Sequence, residues 1–302
     1  MRIVSLLPAA TEIVAALGAL EHLVGVTHAC DYPAVVGSRA RVTSSAVDGS
    51  AAAAAVDARV RELTTRGQSL YTLHERTIAA LRPDLILTQT LCDVCAVSEG
   101  DVRALVARLS PPPAVLTLGA TTLDGVLADV ARVADALDLR DEGEELLDGL
   151  RARMRHVHDI LKAVRAPRPR VAVIEWTGPV FAAGHWVPEM VRRAGGVDVL
   201  ARAGEHSTVR TLEDVVAADP ELLIFAPCGY DAAPAAAEAR RVLERPEWAA
   251  LAAGRRVWAV DANGLVSRPG PRLVDGIELF AEIMHPGLFE RPSEARAIEV
   301  RA

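Results

Sequence analysis

An apolar run that empties into a two-cysteine loop constrains this chain more than any other stretch. Asp84-Leu85-Ile86-Leu87-Thr88-Gln89-Thr90 forms the run, and Leu91-Cys92-Asp93-Val94-Cys95 follows with C-x-x-C spacing. The run is too short to span a membrane and has no helical period, so it reads as a buried strand. Side chains just past such a strand stand where open α/β sheets hold their ligands. Cys30 and Cys228 occupy the same kind of place, after the runs Leu23–Thr27 and Glu221–Pro227. All four cysteines therefore follow predicted strands.

Strands and helices alternate on both sides of this run. Arg2–Leu6 reads as a strand and Ala10–Leu17 as a helix stopped by Gly18. Leu23–Thr27 is the next strand. Ser50–Arg66, His74–Leu81 and Ser98–Leu109 have helical patterning, and Pro111-Pro112-Pro113 turns the chain into a strand at Ala114–Leu118. Thr122–Val164 is helical without a strand signal, and Glu142–Val164 alone predicts one helix of about 35 Å. A second series follows Pro167 and Pro169: strands at Arg170–Trp176, Leu222–Ala226 and Arg256–Val260, with helices through Pro188–Ala194, Leu212–Ala218, Pro234–Leu243 and Arg272–Met284.

This order predicts an α/β protein: two Rossmann-like lobes with parallel sheets, joined by one long helix, with a ligand cleft between the lobes. The expected divisions are an N-terminal lobe at 1–140, a linking helix at 141–165 and a C-terminal lobe at 166–302.

Composition narrows the partners. The net charge of −7 comes without a basic block, which argues against nucleic acid. No segment reaches the roughly 18 apolar residues of a membrane span. The N-terminus does not read as a signal peptide, because Pro8 and Glu12 interrupt its apolar stretch. A cytoplasmic chain with reduced thiols is therefore expected, and delivery to an importer outside the membrane is not. A periplasmic or extracellular location would require that a leader had been removed.

The chemistry-bearing residues gather after strands. Cys92 and Cys95 bring two sulfurs within reach of one metal or of each other. If Cys30 and Cys228 converge with them, four thiolates, or three with His28, would suit zinc or an iron–sulfur cluster. The bland alternative is a set of buried structural cysteines. Glu175 and Trp176 end a strand, and His185 and Trp186 precede a helix, so the two tryptophans either stack on a flat ligand or cap the core. Asp261-Ala262-Asn263-Gly264 is a turn signature first. Arg268 suits a carboxylate or phosphate but reads equally as a solvated arginine. His156 and His158 fall on the long helix and are expected at the surface. Walker, dinucleotide-fingerprint, nucleophile-elbow and H-E-x-x-H motifs do not occur.

The opening Ile3-Val4-Ser5-Leu6-Leu7-Pro8-Ala9-Ala10-Thr11-Glu12-Ile13-Val14 resembles the first strand and helix of periplasmic binding proteins of the helical-backbone type, which serve ABC importers. The stretches His28–Pro33, Leu91–Val97, Ala183–Glu189, Ala226–Gly229 and Ser267–Arg272 are similar to the cobalamin-binding-protein-like branch of that family. The resemblance covers nearly the whole chain. It implies a small-molecule ligand, a cobalamin-like corrinoid or related tetrapyrrole or metal chelate, held between two lobes that close little. The expected contacts in the first half are Pro8, His28, Asp31, Tyr32 and Gln89. In the second half they are Glu175, Trp176, His185, Trp186, Asn263 and Arg268. The competing expectation is a zinc- or iron-dependent enzyme on the same fold, with Cys30, Cys92, Cys95 and Cys228 as metal ligands and His28, Glu175 and His185 moving protons.

Overall fold

The computed structural model describes residues 1–49, 53–90 and 97–300, so Cys92 and Cys95 lie outside the described residues. The described residues form two compact units. The first takes Met1–Ala51, Ala55–Ala120 and Asp124–Asp148; the second takes Ala52–Ala54, Thr121–Leu123 and Gly149–Ala302.

The chain opens with β1 (Ile3–Ser5), α1 (Pro8–Ala16), β2 (Leu23–Val26), β3 (Ala40–Arg41) and β4 (Thr43–Ser45). It continues through α2 (Ala53–Thr65), β5 (Tyr71–Leu73), α3 (Glu75–Leu81), β6 (Leu85–Gln89), α4 (Glu99–Val106) and β7 (Ala114–Leu118). Five of these strands form a parallel sheet in the order β3-β2-β1-β6-β7. β6 lies between β1 and β7 with all five residues buried, which is why its sequence is nearly continuous apolar residues. β2 and β3 build outward from one side of β1, and β6 and β7 from the other. The strand that follows β1 thus lies on one side of it and the strand that follows β6 on the other, and the crevice of an α/β sheet opens at such a switch. Pro8 occupies the first turn of α1, where its missing N–H costs nothing. Val4, Leu6, Ile86, Val102 and Leu105 close the core beneath.

The helical stretch expected over 122–164 is two helices, α5 (Leu123–Leu137) and α6 (Arg140–Ala163). The break falls at Asp138, whose φ of +59° is a conformation that aspartate tolerates better than most residues. His156 and His158 are exposed on α6, as expected.

The second unit contains β8 (Arg170–Thr177), β9 (Val180–Ala182), α7 (Val187–Arg193), β10 (Val197–Asp198), β11 (Thr208–Val209) and α8 (Leu212–Ala217). Then come β12 (Leu222–Phe225), α9 (Ala232–Leu243), α10 (Pro246–Ala252), β13 (Arg256–Val260), α11 (Ala262–Leu265), α12 (Leu273–Met284) and β14 (Ala297–Glu299). The sheet order is β11-β9-β8-β12-β13-β14, with β10 also on β8. β8, β12 and β13 are parallel, while β9 and β14 run antiparallel at the flanks. Phe225 and Trp248 pack at 5.9 Å in the core of this unit.

Two local expectations change. The expected series of strands lacks three short ones: β9 lies between Trp176 and α7, and the 197–209 segment contributes β10 and β11. Asp261–Gly264 is the start of a one-turn helix, with the Asp261 carboxylate accepting the Gly264 N–H at 2.8 Å.

Candidate functional site

In the first unit, chemistry-bearing groups collect at the carboxyl ends of β1, β2 and β6. His28 is exposed on the loop after β2. Its backbone N–H donates to the Thr43 hydroxyl at 3.1 Å, and its ring Nδ1 meets the same hydroxyl at 2.8 Å. Thr43 can accept the backbone proton and give its own to Nδ1, a tautomer that leaves hydrogen on Nε2. Burial, then the Arg41 charge, then His74 hold the His28 pKa below its ordinary value, which keeps the ring neutral near pH 7. Tyr71 packs on the ring at 5.6 Å. Pro8, Thr27, His28, Thr43, Tyr71 and Val97 line a recess of about 40 Å³, room for a few waters or one small polar group.

Cys30 sits on the same loop but faces inward. It is 1% exposed, and its sulfur meets the Thr11 hydroxyl at 3.1 Å and the Thr27 hydroxyl at 3.4 Å. Arg41 clasps the loop from outside, donating to the Thr27 and Cys30 carbonyls at 2.7 Å each. Asp31 and Tyr32 are exposed beside it, while Gln89 is 7% exposed at the end of β6.

In the second unit, β8, β12 and β13 bring a denser cluster to their carboxyl ends. Trp176 is half-buried and meets Tyr230 edge to face at 5.9 Å. Glu175, one residue back on β8, accepts the Ser207 hydroxyl proton. Burial raises the Glu175 pKa, and the hydrogen bonds from Ser207 and the Gly184 backbone pull it partly back. Gly184 also donates its N–H to the Ser207 oxygen at 3.1 Å. His185 follows at a φ of +55°, its N–H donating to the Glu205 carbonyl at 2.6 Å. Its Nε2 lies 3.1 Å from Nδ1 of His206. Burial and the neighbouring His206 lower the His185 pKa.

Trp186 does not present its ring to solvent. It is 4% exposed, and its indole N–H donates to the Val266 carbonyl at 2.8 Å, so it caps the core. Arg268 is also no solvated arginine. At 8% exposed it donates to Asn263 Oδ1 at 2.7 Å, and Asn263 in turn donates to Asp231 at 3.1 Å. The Asn263 backbone N–H reaches the Tyr230 carbonyl at 3.0 Å. This chain of contacts ties the loop after β13 to the ring that meets Trp176.

Cys228 is partly exposed after β12, and neither it nor Cys30 is in a disulfide. Among the described residues, no group of three or more His, Cys, Asp or Glu side chains is placed to hold a metal ion. No helix among them is long and apolar enough to cross a membrane. Ser207, His206 and Thr43 belong to the site and were not anticipated. They arrive from segments whose strands are two or three residues long.

The comparisons with known proteins extend this picture. A family model described as periplasmic binding protein matches residues 3–257. The chain is 23% identical over 297 residues to an uncharacterized ABC transporter substrate-binding lipoprotein, YvrC, of Bacillus subtilis, covering 96% of this chain and 81% of that one. It is 24% identical over 286 residues to a vitamin B12-binding protein of Vibrio cholerae, covering 92% of this chain and 86% of that one. Among solved structures, a periplasmic heme binding protein from Pseudomonas aeruginosa superposes with a TM-score of 0.73 at 21% identity, covering 100% of this chain and 98% of that one.

Proposed function

The chain belongs to the periplasmic binding protein family, and we propose that this ligand-binding protein takes a tetrapyrrole, with a cobalamin-like corrinoid as the first choice. The observation that carries the reading is the Trp176–Tyr230 pair at the carboxyl ends of β8 and β12. A half-buried indole, held edge to face by a second ring, offers a flat apolar platform of the kind a macrocycle stacks on. Asn263 meets the Tyr230 carbonyl through its backbone N–H, and Glu175 precedes Trp176 on β8, so polar groups for the edge of the macrocycle lie close along the chain to the platform. That relatives are named for vitamin B12 and heme supports the same class.

The buried members play supporting parts in this reading. Arg268 holds Asn263, and Trp186 seats the His185 loop. In the first unit, considered by itself, His28, Asp31 and Tyr32 are the ligand-facing groups. Pro8 walls the small recess, and Gln89 ends the central strand.

Absorbance titration of the purified protein with cyanocobalamin, and separately with hemin, tests the proposal. Saturable 1:1 binding to either is the expected result. Trp176→Ala should weaken it about tenfold, the equivalent of the roughly 1.4 kcal/mol at the upper end of aromatic pairing. Failure of both titrations to saturate would reject a tetrapyrrole ligand.

A further inference from the structure

We propose that His28 is a fixed hydrogen-bond donor for one acceptor oxygen on a side arm of the ligand, and that Thr43 is the positioning residue that sets its tautomer. The proposal deepens the ligand-binding reading and rests on it for the occupant of the recess. It does not require that occupant to be a tetrapyrrole.

The hydrogen count at Thr43 carries the assignment. Thr43 is 2% exposed, so its hydroxyl must find its partners within the protein. It receives the His28 backbone N–H at 3.1 Å and lies 2.8 Å from Nδ1 of the same residue. A backbone N–H only donates, so the first contact uses a lone pair and leaves the hydroxyl hydrogen to be placed. Among the described residues, Nδ1 is the one acceptor beside it. A hydrogen on Nδ1 would strand that buried hydroxyl hydrogen, a state that folded chains avoid. Nδ1 therefore accepts, and the hydrogen of the neutral ring sits on Nε2.

The same short sheet holds the ring a second time. Tyr71 packs on His28 with centroids 5.6 Å apart and planes 31° apart. Tyr71 stands opposite Ser45 in the β4–β5 pair, and Thr43 opposite Leu73. Two strands thus supply both the bond that sets the tautomer and the ring that sets the plane. Arg41 secures the loop itself through the Thr27 and Cys30 carbonyls.

Nε2 has no hydrogen-bond partner among the described residues. His28 is exposed, and it also lines the recess of about 40 Å³. No Asp or Glu belongs to that lining, so no carboxylate there competes for the hydrogen. The recess is too small for a macrocycle and admits one polar group. A carboxylate or carboxamide oxygen on a flexible arm meets both conditions. In this tautomer His28 turns a hydrogen outward and offers no lone pair to a metal, so it does not complete a thiolate site with Cys30.

Heteronuclear NMR of protein labelled at its histidine nitrogens, at mildly alkaline pH, tests the proposal. His28→Phe, which keeps a ring against Tyr71, assigns the His28 signals by their loss. In the wild type Nε2 should carry the hydrogen and Nδ1 none. Acetate and acetamide, titrated separately, are the probes. At least one should shift both nitrogens saturably, and sodium chloride at equal ionic strength should not. Response to acetate alone identifies a carboxylate arm, and response to acetamide alone a carboxamide arm. Thr43→Val should mix the tautomers and weaken the response about tenfold, the weight of one strong hydrogen bond. Thr43→Ser should restore both, whereas a residue that merely fills space would tolerate valine better than serine. A hydrogen on Nδ1 in the wild type, His28 signals that neither probe shifts, or wild-type behaviour in Thr43→Val would each overturn the proposal. Hemin and cyanocobalamin take no part in these measurements, so failure of the tetrapyrrole reading is seen separately.

Discussion

Gly184 lies so close to Ser207 that a Cβ on it would stand 2.5 Å from the Ser207 nitrogen, with the Glu205 carbonyl oxygen at the same distance. All three nearest atoms are backbone, so neither side of this contact can yield by a side-chain rotation. Gly184→Ala must push the 205–207 segment away, and with it Ser207 from Glu175 and His206 from His185. The expected cost is about 1–3 kcal/mol, read as a lower urea midpoint at unchanged m-value. Affinity for any ligand of the second unit should fall with it. An alanine variant as stable as the wild type would mean that the two segments are not in contact.

Asp198 should make stability fall as the pH rises through the mildly acidic range. Its Oδ1 accepts the Leu200 and Ala201 N–H groups, while Oδ2 is buried without a hydrogen bond, and Arg210 Nε nearby is in the same condition. Burial pushes the Asp198 pKa up to about 6, against the opposing pull of those N–H groups and of Arg210. The folded chain keeps this proton up to about pH 6, whereas an unfolded aspartate releases it near pH 4. Between those values the folded state binds more protons, so the contribution is fully present below pH 4 and is lost by about pH 6 to 7. The loss is on the order of 3 kcal/mol. Urea midpoints of wild type and Asp198→Asn from pH 4 to 7 should diverge by that amount. Glu175 is shifted in the same direction in both proteins and cancels in the difference. Parallel curves would show that Asp198 ionises normally.

The thiols should separate by reactivity. Cys30 is 1% exposed between the hydroxyls of Thr11 and Thr27, whereas Cys228 is partly exposed at the end of β12. Alkylation followed by peptide mass analysis should modify Cys228 in the native protein, and Cys30 only after denaturant is added. Rapid native labelling of Cys30 would show that its loop opens, and would return it to consideration as a metal ligand.

The legible parts of the sequence were those with a strong local pattern. β6 announced itself because both faces are buried, and α6 because its apolar positions repeat over many turns. Glu175, Trp176 and His185 stood out because each sits where a strand ends or a helix begins. Their partners carried no such signal. His206 and Ser207 lie more than 20 residues further along the chain, brought back by a two-residue strand, β11, that is too short to alternate visibly. Thr43 reaches His28 from β4 in the same way. Arg268 read as solvated because its partner Asn263 hides in a sequence that looks like a turn, and only folding into α11 brings the two within 2.7 Å. Apart from that contact, which spans five residues, the bonds that set the chemistry of this site join residues 15 to 32 positions apart, and local propensity has no access to them.

Gly276 poses a contest between helix propensity and packing, and packing should win. It lies inside α12, where alanine would gain about 1 kcal/mol on propensity alone. A Cβ there, however, would stand 2.1 Å from the Leu265 carbonyl oxygen and 2.6 Å from the Met190 methyl carbon. The methionine end can rotate away, but the carbonyl belongs to α11 and moves only with its backbone. Overpacking of this kind costs about 1–3 kcal/mol, and more when backbone must shift. Gly276→Ala is therefore expected to be less stable than the wild type by roughly 1–2 kcal/mol, after the propensity gain is subtracted. Because α11 carries Asn263, whose N–H holds the Tyr230 carbonyl, the same shift should loosen the ring that supports Trp176. The variant should lose tetrapyrrole affinity as well as thermal stability. A variant with a raised Tm would show that propensity prevails, and that α11 and α12 stand further apart than a methyl group requires.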